Sequence, residues 1–571
     1  MTTDPTPEAP VRGVARWLPP LLPILAGVLL RLWNLRAQIV GGDEMNGVQA
    51  ALRMPLGKVL TTYQLRDPCL PMAGFYRFLL DRGIALTELW VHLPPLVFGL
   101  AALMIVPWIA IRLLGRPAAL VLAWLVALAP ILVLYSRIAR PYMPIALLGF
   151  AATAAFYAWW RSRRPAAAAA YVILGALCVY FHLGSAPFIV APFLFALGGL
   201  LLERREERPG LLAVLAVGLA EVAALAAFML PAWESLHELI GDKHNPLELR
   251  WETLTGVLKL QAGTASWPLV VIFWAVALGG LIALLGRRSA LRRLGLYSLT
   301  LVVAEIAGLI VLSPEMLVHP LVFNRYLIPA FPWILVWVAV GLTTPWQALG
   351  RRFGPRSQAA IAGLLLAGLF LAGPLAQWEY RAGSFAEHND FVAFFCPPAQ
   401  LAATAERDIP HFYREVQARG GGPILEVPWF PWWAYTRAYY LYQEVHRQDV
   451  LLALVRPMAG EDRLAFRNMP RADPDDFLAS RARWLVVHTD LPAEEDRVTP
   501  HCWPIVDDFK PQHRRQLQNA GRQKADGLTA LWGEPDVRED NILVWDLDKV
   551  RKAHPTSPAS TAFLASTAFP D

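Results

Sequence analysis

HLPPLVFGLAALMIVPWIAIRLLGRPAALVLAWLVALAPILVLYSRIARPYM, residues 92–143, decides the fold class. It holds two apolar runs, 94–114 and 118–135, joined by a tight turn with Arg112 and Arg116, and it ends in a polar corner with Arg137, Arg140 and Tyr142. Each run has about the length that a helix needs to cross roughly 30 Å of hydrocarbon. The pattern reads as two membrane helices with an arginine-bearing loop on one side and a second charged corner on the other.

Similar runs recur to either side. Eleven spans are expected, at 17–35, 94–114, 118–135, 143–160, 166–180, 187–202, 211–230, 267–285, 296–312, 326–346 and 359–376. Composition agrees: a 571-residue chain that is 56% hydrophobic and 17% charged, with 22 Trp, carries more apolar surface than one aqueous core can hide. The expected fold is mainly α, a polytopic membrane helix bundle over 1–376 whose first outer loop is 36–93.

The connecting segments alternate in charge. Arg12 and Arg16, Arg112 and Arg116, Arg161 to Arg164, Arg204 to Arg208, Arg287 to Arg293 and Arg351 to Arg356 form one set, which the positive-inside rule places in the cytoplasm. Asp43, Glu44, Asp67, Glu234, Asp242, Glu252 and Glu315 form the other and face outward. An odd number of spans then puts the N-terminus inside and the C-terminal part outside. The first apolar run lacks a small-residue cleavage site, so it is expected to stay as an anchor in the cytoplasmic membrane. The net charge of +6 comes largely from the cytoplasmic arginines, and nucleic acid is not an expected partner.

Beyond Gln377 the composition changes, and 377–550 is expected to form one extracytoplasmic α/β domain. Residues 423–427 and 484–488 read as short buried strands, 473–482 as a helix opened by an Asp cap, and 542–547 as an alternating strand. The Ala/Ser/Thr/Pro-rich tail, 551–571, reads as disordered. Cys178 is a small apolar residue within a span, and Cys69 is expected to be free. An oxidising compartment would permit a Cys396–Cys502 disulfide, though spacing alone does not bring the two together. The run VPWFPWWAYTRAYYLY, 427–442, offers aromatic faces for sugars or for the membrane interface. Ordinary core packing is the plainer account of it.

Chemistry is concentrated at the outward ends of the spans. The first outer loop is too long for a mere connection, and its semi-apolar stretch 70–80 is expected to form an amphipathic helix at the interface. It carries GGDE at 41–44, where Asp43 and Glu44 can deprotonate a hydroxyl or amine, or hold a divalent ion. Taken alone, the pair is more simply a solvated acidic loop or a helix cap. Arg140, Tyr142, Arg325 and Tyr326 lie at other outward corners, where excess arginine runs against the topology bias and suggests an anionic partner. A guanidinium fork suits a lipid phosphate. Arg137 reads instead as a residue that snorkels to headgroups. His182 can donate to the same phosphate or simply end a helix. Glu221 and Glu305 fall near the middle of their spans, where a charge is expensive. No Walker loop, dinucleotide fingerprint, zinc-ligand spacing or nucleophile elbow is present, so no nucleotide cofactor is expected.

The order of these features resembles the GT-C superfamily of glycosyltransferases, the polytopic class that includes protein O-mannosyltransferases and lipid A aminoarabinose transferases. The stretches that carry the resemblance are RLWNL with GGDE, RDPCLPMAGFYRFLLDRG, the run 92–143, VYFHLGSAP and NRYLIPAFP, between Arg31 and Pro332. The resemblance implies a polyprenyl-phosphate-linked sugar as donor and transfer by direct displacement with inversion to a lipid, glycan or protein acceptor in the cell envelope. It implies Asp43 as the base with Glu44 beside it, and Arg140, Tyr142, His182, Arg325 and Tyr326 around the donor phosphate. Two departures stand out. His92 and Leu93 lie where many relatives have an Arg before the Pro, and the RDP of 66–68 replaces a His-Pro-Pro run. A solute or lipid transporter, favoured by Glu221 and Glu305, and a non-catalytic scaffold are the rival readings.

Overall fold

The computed structural model describes residues 18–33, 54–63, 69–84, 88–202, 209–243, 250–264, 266–286, 291–314 and 320–349 of the membrane part. In the C-terminal part it describes 409–427, 474–480, 482–490, 511–539 and 541–554, and a few isolated positions fall between these stretches. Ten of the eleven expected spans are helical among these residues; the eleventh, 359–376, lies almost wholly outside them. α1 is Leu18–Leu32. In the loop after it come the short α2, Leu56–Val59, and α3, Leu70–Asp81. Then follow α4, Glu88–Leu114, α5, Arg116–Leu128, α6, Pro130–Tyr135, α7, Tyr142–Ser162, α8, Pro165–Phe181, and α9, Ala186–Leu202. α10 is Leu211–Met229, α11 Trp233–Lys243, α12 Trp251–Ala262, α13 Trp267–Leu285, α14 Arg292–Leu312, α15 Pro320–Leu327, and α16 Phe331–Leu349.

Among the described residues, seven helical segments are long and apolar enough to cross a membrane, and three shorter apolar helices accompany them. α7 and the α15–α16 segment form the centre, with 83% and 89% of their apolar windows buried; the window of α10 is only 17% buried. α10 turns Leu212, Leu219 and Val222 outward, as a helix facing lipid does. Small residues set the tightest crossing. A Cβ on Gly280 of α13 would collide with the Trp337 carbonyl of α16, and one on Gly341 would collide with the Val276 carbonyl, so glycine at both positions lets the two backbones touch.

The span expected at 118–135 is broken at Ala129, where Pro130 opens α6. Proline has no N–H, so the Val126 carbonyl four residues earlier loses its helical donor. Arg31 of α1, fully buried, supplies one: Nη2 donates to Val126 O at 3.0 Å and Nη1 to Ala127 O at 3.2 Å. Its Nε donates to Ser136 Oγ at 3.0 Å. Arg137 returns the favour to α1, donating from Nη1 to Leu30 O and Trp33 O. It is 1% exposed, so the expected snorkelling arginine is in fact a buried cap on a helix C-terminus, where a cation also suits the dipole.

The long first loop folds onto the same end of the bundle. Val48, Ala51, Cys69, Met72 and Tyr76 pack with Val91 and Ala139, against Phe181. Tyr63 packs with Leu70, Ala232 and Leu236; its backbone N–H meets Ser235 Oγ at 2.9 Å, and Tyr180 donates to the Leu60 carbonyl at 2.9 Å. Cys69 and Cys178 are both buried, and neither is in a disulfide; Cys396 and Cys502 lie outside the described residues.

In the C-terminal part, four strands, β1 Ile424–Val427, β2 Trp484–His488, β3 Val537–Glu539 and β4 Ile542–Asp546, form one sheet in the order β1-β2-β4-β3. β1 and β2 are parallel, with Ile424 opposite Trp484, and β4 is antiparallel to both of its neighbours. Helices α17 His411–Glu415, α18 Pro474–Ala479, α19 Pro511–Trp532 and α20 Leu547–Ala553 accompany it. β4 is buried at all five positions rather than alternating, because it is an inner strand covered on both faces. α20 runs into the stretch expected to be disordered, and Arg551 is held by the carbonyls of Leu478, Ser480 and Ala482. Residues 555–571 lie outside the described residues. At the centre, Tyr413 donates to Glu426 Oε2 at 2.8 Å, and the same oxygen meets His488 Nε2 at 2.6 Å. Tyr442 stacks on Tyr413 at 4.5 Å, so this member of the aromatic run is core packing.

Candidate active site

Three helix ends meet at the loop-bearing end of the bundle. The corner after α6 turns through residues 136–141, and Pro141 caps α7, so Arg140 and Tyr142 stand on either side of a fixed φ. α8 ends at His182, whose backbone is extended; Ser185 then closes a short turn by donating to the His182 carbonyl at 2.7 Å, before α9 begins. Arg325 and Tyr326 fall in the last turn of α15, followed by a 3-10 turn at Ile328–Ala330 with Pro329 inside it.

These corners converge on one ring. The Arg140 Cζ lies 5.8 Å from the centre of the Tyr142 ring, and the Arg325 Cζ lies 5.6 Å from it. His182 packs on Tyr142 at 5.7 Å and Tyr326 packs on His182 at 5.2 Å. Tyr135 supports Tyr142 from behind at 4.7 Å. Arg140, Tyr142, His182 and Arg325 are buried, and Tyr326 is partly exposed. Two guanidinium groups on one ring gain from its quadrupole, yet they repel each other where the dielectric is low, so the arrangement favours an anion between them. An imidazole and a phenol at the same place add hydrogen-bond donors. Such a donor set suits an anion.

The structure thus brings together five sequence-selected residues, Arg140, Tyr142, His182, Arg325 and Tyr326. Asp43 and Glu44 lie outside the described residues. Val48, five positions further along the chain, packs with Ala139 and Phe181, the neighbours of Arg140 and His182. Glu221 and Glu305 are elsewhere in the bundle. Glu221 lies against Gly175 of α8, Glu305 beside the Phe188 backbone at the start of α9, and neither forms an ion pair among the described residues.

Sequence reasoning passed over Arg31, whose signal was a lone charge inside an apolar span. It also passed over Gly184, where a Cβ would stand 2.6 Å from Tyr326 Cε1 and 2.9 Å from His182 Cε1. Among the described residues, no group of three or more His, Cys, Asp or Glu side chains is placed to hold a metal ion.

No family model and no curated protein matches the sequence. Among solved structures, ArnT from Cupriavidus metallidurans in the apo state is similar, with 13% identity over 93% of this chain and 97% of that chain and a TM-score of 0.52. ArnT bound to undecaprenyl phosphate matches at 15% identity over 93% and 98%, with a TM-score of 0.48. The oligosaccharyltransferase AglB from Archaeoglobus fulgidus, in complex with an inhibitory peptide and a dolichol-phosphate, matches at 13% identity over 83% and 69%, with a TM-score of 0.43.

Proposed function

From the ArnT-like, GT-C fold of the chain, we propose an integral-membrane glycosyltransferase that moves a sugar from a polyprenyl-phosphate donor to an extracytoplasmic lipid, glycan or protein acceptor. It works at the outer face of the cytoplasmic membrane, with the N-terminus inside and the C-terminal domain outside. The observation that carries this reading is the pair Arg140 and Arg325 on the one Tyr142 ring, with His182 and Tyr326 beside them.

In the reaction, the acceptor hydroxyl or amine gives its proton to the Asp43 carboxylate, with Glu44 beside it. The acceptor atom attacks the anomeric carbon, and the carbon–oxygen bond to phosphate breaks on the opposite face, inverting the centre. The electron pair stays on the polyprenyl phosphate. Such a group leaves as an anion and needs no proton, so one base and a set of cations suffice. Arg140 and Arg325 hold the phosphate and gain as its charge grows.

Native mass spectrometry of the gently purified protein tests this reading. Wild type is expected to retain a polyprenyl phosphate or its glycoside, and Arg140→Ala and Arg325→Ala to lose it. Bulk phospholipid alone, equal in all three, would remove the donor site. Asp43→Asn should cut sugar transfer by a factor of about 100 or more while the protein stays folded.

The buried Glu221 and Glu305 favour a second reading, a proton-coupled transporter. Uptake into energised vesicles that Glu305→Gln abolishes and Asp43→Asn spares would establish it in place of the first.

A further inference from the structure

Asn324 immediately precedes Arg325 in α15. It is fully buried, and among the described residues neither its Oδ1 nor its Nδ2 has a hydrogen-bond partner. Buried amides are nearly always satisfied, because an unmade hydrogen bond forfeits what water would have supplied. Its setting places it on the inner face of the helical turn. Leu321 and Ile328, three residues before and four after, share its face of the helical turn, and both pack in the bundle core. The next 3-10 turn packs Pro329 against α7 at Gly149, where a Cβ would stand 3.4 Å from it. Asn324 is therefore held inside the bundle, one residue from Arg325, whose guanidinium reaches Tyr142.

We infer that Asn324 recognises the sugar of the lipid-linked donor by a paired hydrogen bond to its hydroxyl groups, an assignment that rests on the glycosyltransferase reading. The two vacant amide groups define the ligand. A carboxamide offers an acceptor and two donors at once. A phosphate presents only acceptors when ionised and would leave Oδ1 vacant, and a prenyl chain would satisfy neither atom. A sugar ring carries hydroxyls that both donate and accept. It is also the group bonded directly to a phosphate held by Arg325, the next residue along α15. Arg325 thus binds what all polyprenyl phosphates share, and Asn324 reads whether a sugar is attached.

The test compares the lipids that co-purify with full-length protein by native mass spectrometry. The Asp43→Asn background is used so that the donor is not consumed. Asn324→Leu should keep total polyprenyl-phosphate occupancy and shift the ratio of glycosylated to sugar-free lipid by about tenfold toward the sugar-free form, the effect of some 1.4 kcal/mol. Its Tm should match or exceed that of the parent, since a residue of similar size replaces an unsatisfied amide. Asn324→Ser, which keeps one donor and acceptor, should fall between the two. Should the Leu variant fail to fold, the Ser ratio decides. An unchanged ratio in the variants, or sugar-free lipid alone in the Asp43→Asn parent, overturns the inference while the phosphate site stands. Absence of any polyprenyl phosphate in the parent overturns the glycosyltransferase reading as well.

Discussion

Arg31 Nη2 donates to the Val126 carbonyl at 3.0 Å, at the point where Pro130 withholds the helical N–H. A proline on one helix and an arginine on another thus form one structural unit, and with Ser136 and Arg137 it fixes the corner that presents Arg140. Arg31→Leu would strip donors from the carbonyls of Val126 and Ala127 and from Ser136 Oγ, a loss of about 3 kcal/mol or more. Pro130→Ala restores a backbone donor for Val126. The double variant should therefore lose less than the two single variants together, by about 1 kcal/mol. Thermal unfolding in detergent gives all four values, and strict additivity would separate the two residues.

Tyr142 is expected to act through its ring rather than its hydroxyl. Each guanidinium on that ring gains about 0.5–2 kcal/mol from it. Tyr142→Phe keeps the ring and should hold donor affinity within about threefold, whereas Tyr142→Leu frees both arginines and should weaken it about tenfold or more. Titration with undecaprenyl phosphate reports the difference. Equal losses in the two variants would shift the role to the hydroxyl.

Tyr63 makes the docking of the first loop pH-dependent. Burial first, then the neighbouring Tyr180 and Cys69, push its phenol well above the usual value of about 10. The docked phenol keeps its proton where an undocked one gives it up, so the undocked state binds fewer protons in that range. Docking is then fully stable below pH of about 10 and weakens as pH rises further. Cleavage of the loop by an alkaline-active subtilisin should accelerate above about pH 10 in wild type and much less in Tyr63→Phe. The same acceleration in both proteins would place the titrating group elsewhere.

Spans and buried strands were legible because lipid and an all-apolar sheet interior impose long, uninterrupted signals. The strand 484–488 falls where the sequence placed it. Polar elements were not legible in this way. α19 carries Arg514, Arg515, Arg522 and Lys524 and few apolar residues, and β3 is a three-residue edge strand, so neither shows a period strong enough to read. β4 reads as alternating from sequence, yet as an inner strand it is buried at all five positions.

At the site, residue type was legible and role was not. Arg137 and Arg140 are three positions apart in one corner, yet one caps α1 and the other reaches Tyr142. Only the helix that each one meets in space distinguishes them. Asn324 gave no signal at all, since an asparagine before NRYLIPAFP's arginine looks like any polar residue until its burial and empty amide are seen.

Gly184 tests whether the His182–Tyr326 contact matters for chemistry. The contact spans the two corners at 5.2 Å, and an added Cβ would push on both rings at once. Tyr326 is partly exposed, so its ring can yield toward solvent with little strain elsewhere. Gly184→Ala should therefore lower Tm by no more than a few degrees, corresponding to about 1 kcal/mol. Catalysis is less forgiving, because a displacement of about 1 Å in a positioning group can cost a factor of about 100. Sugar transfer by Gly184→Ala is expected to fall ten- to a hundredfold, by about that principle's measure, while Arg140 and Arg325 still retain the lipid phosphate. A variant that transfers sugar at the wild-type rate would take the His182–Tyr326 pair out of the reacting geometry and leave the two arginines as the whole of the phosphate site.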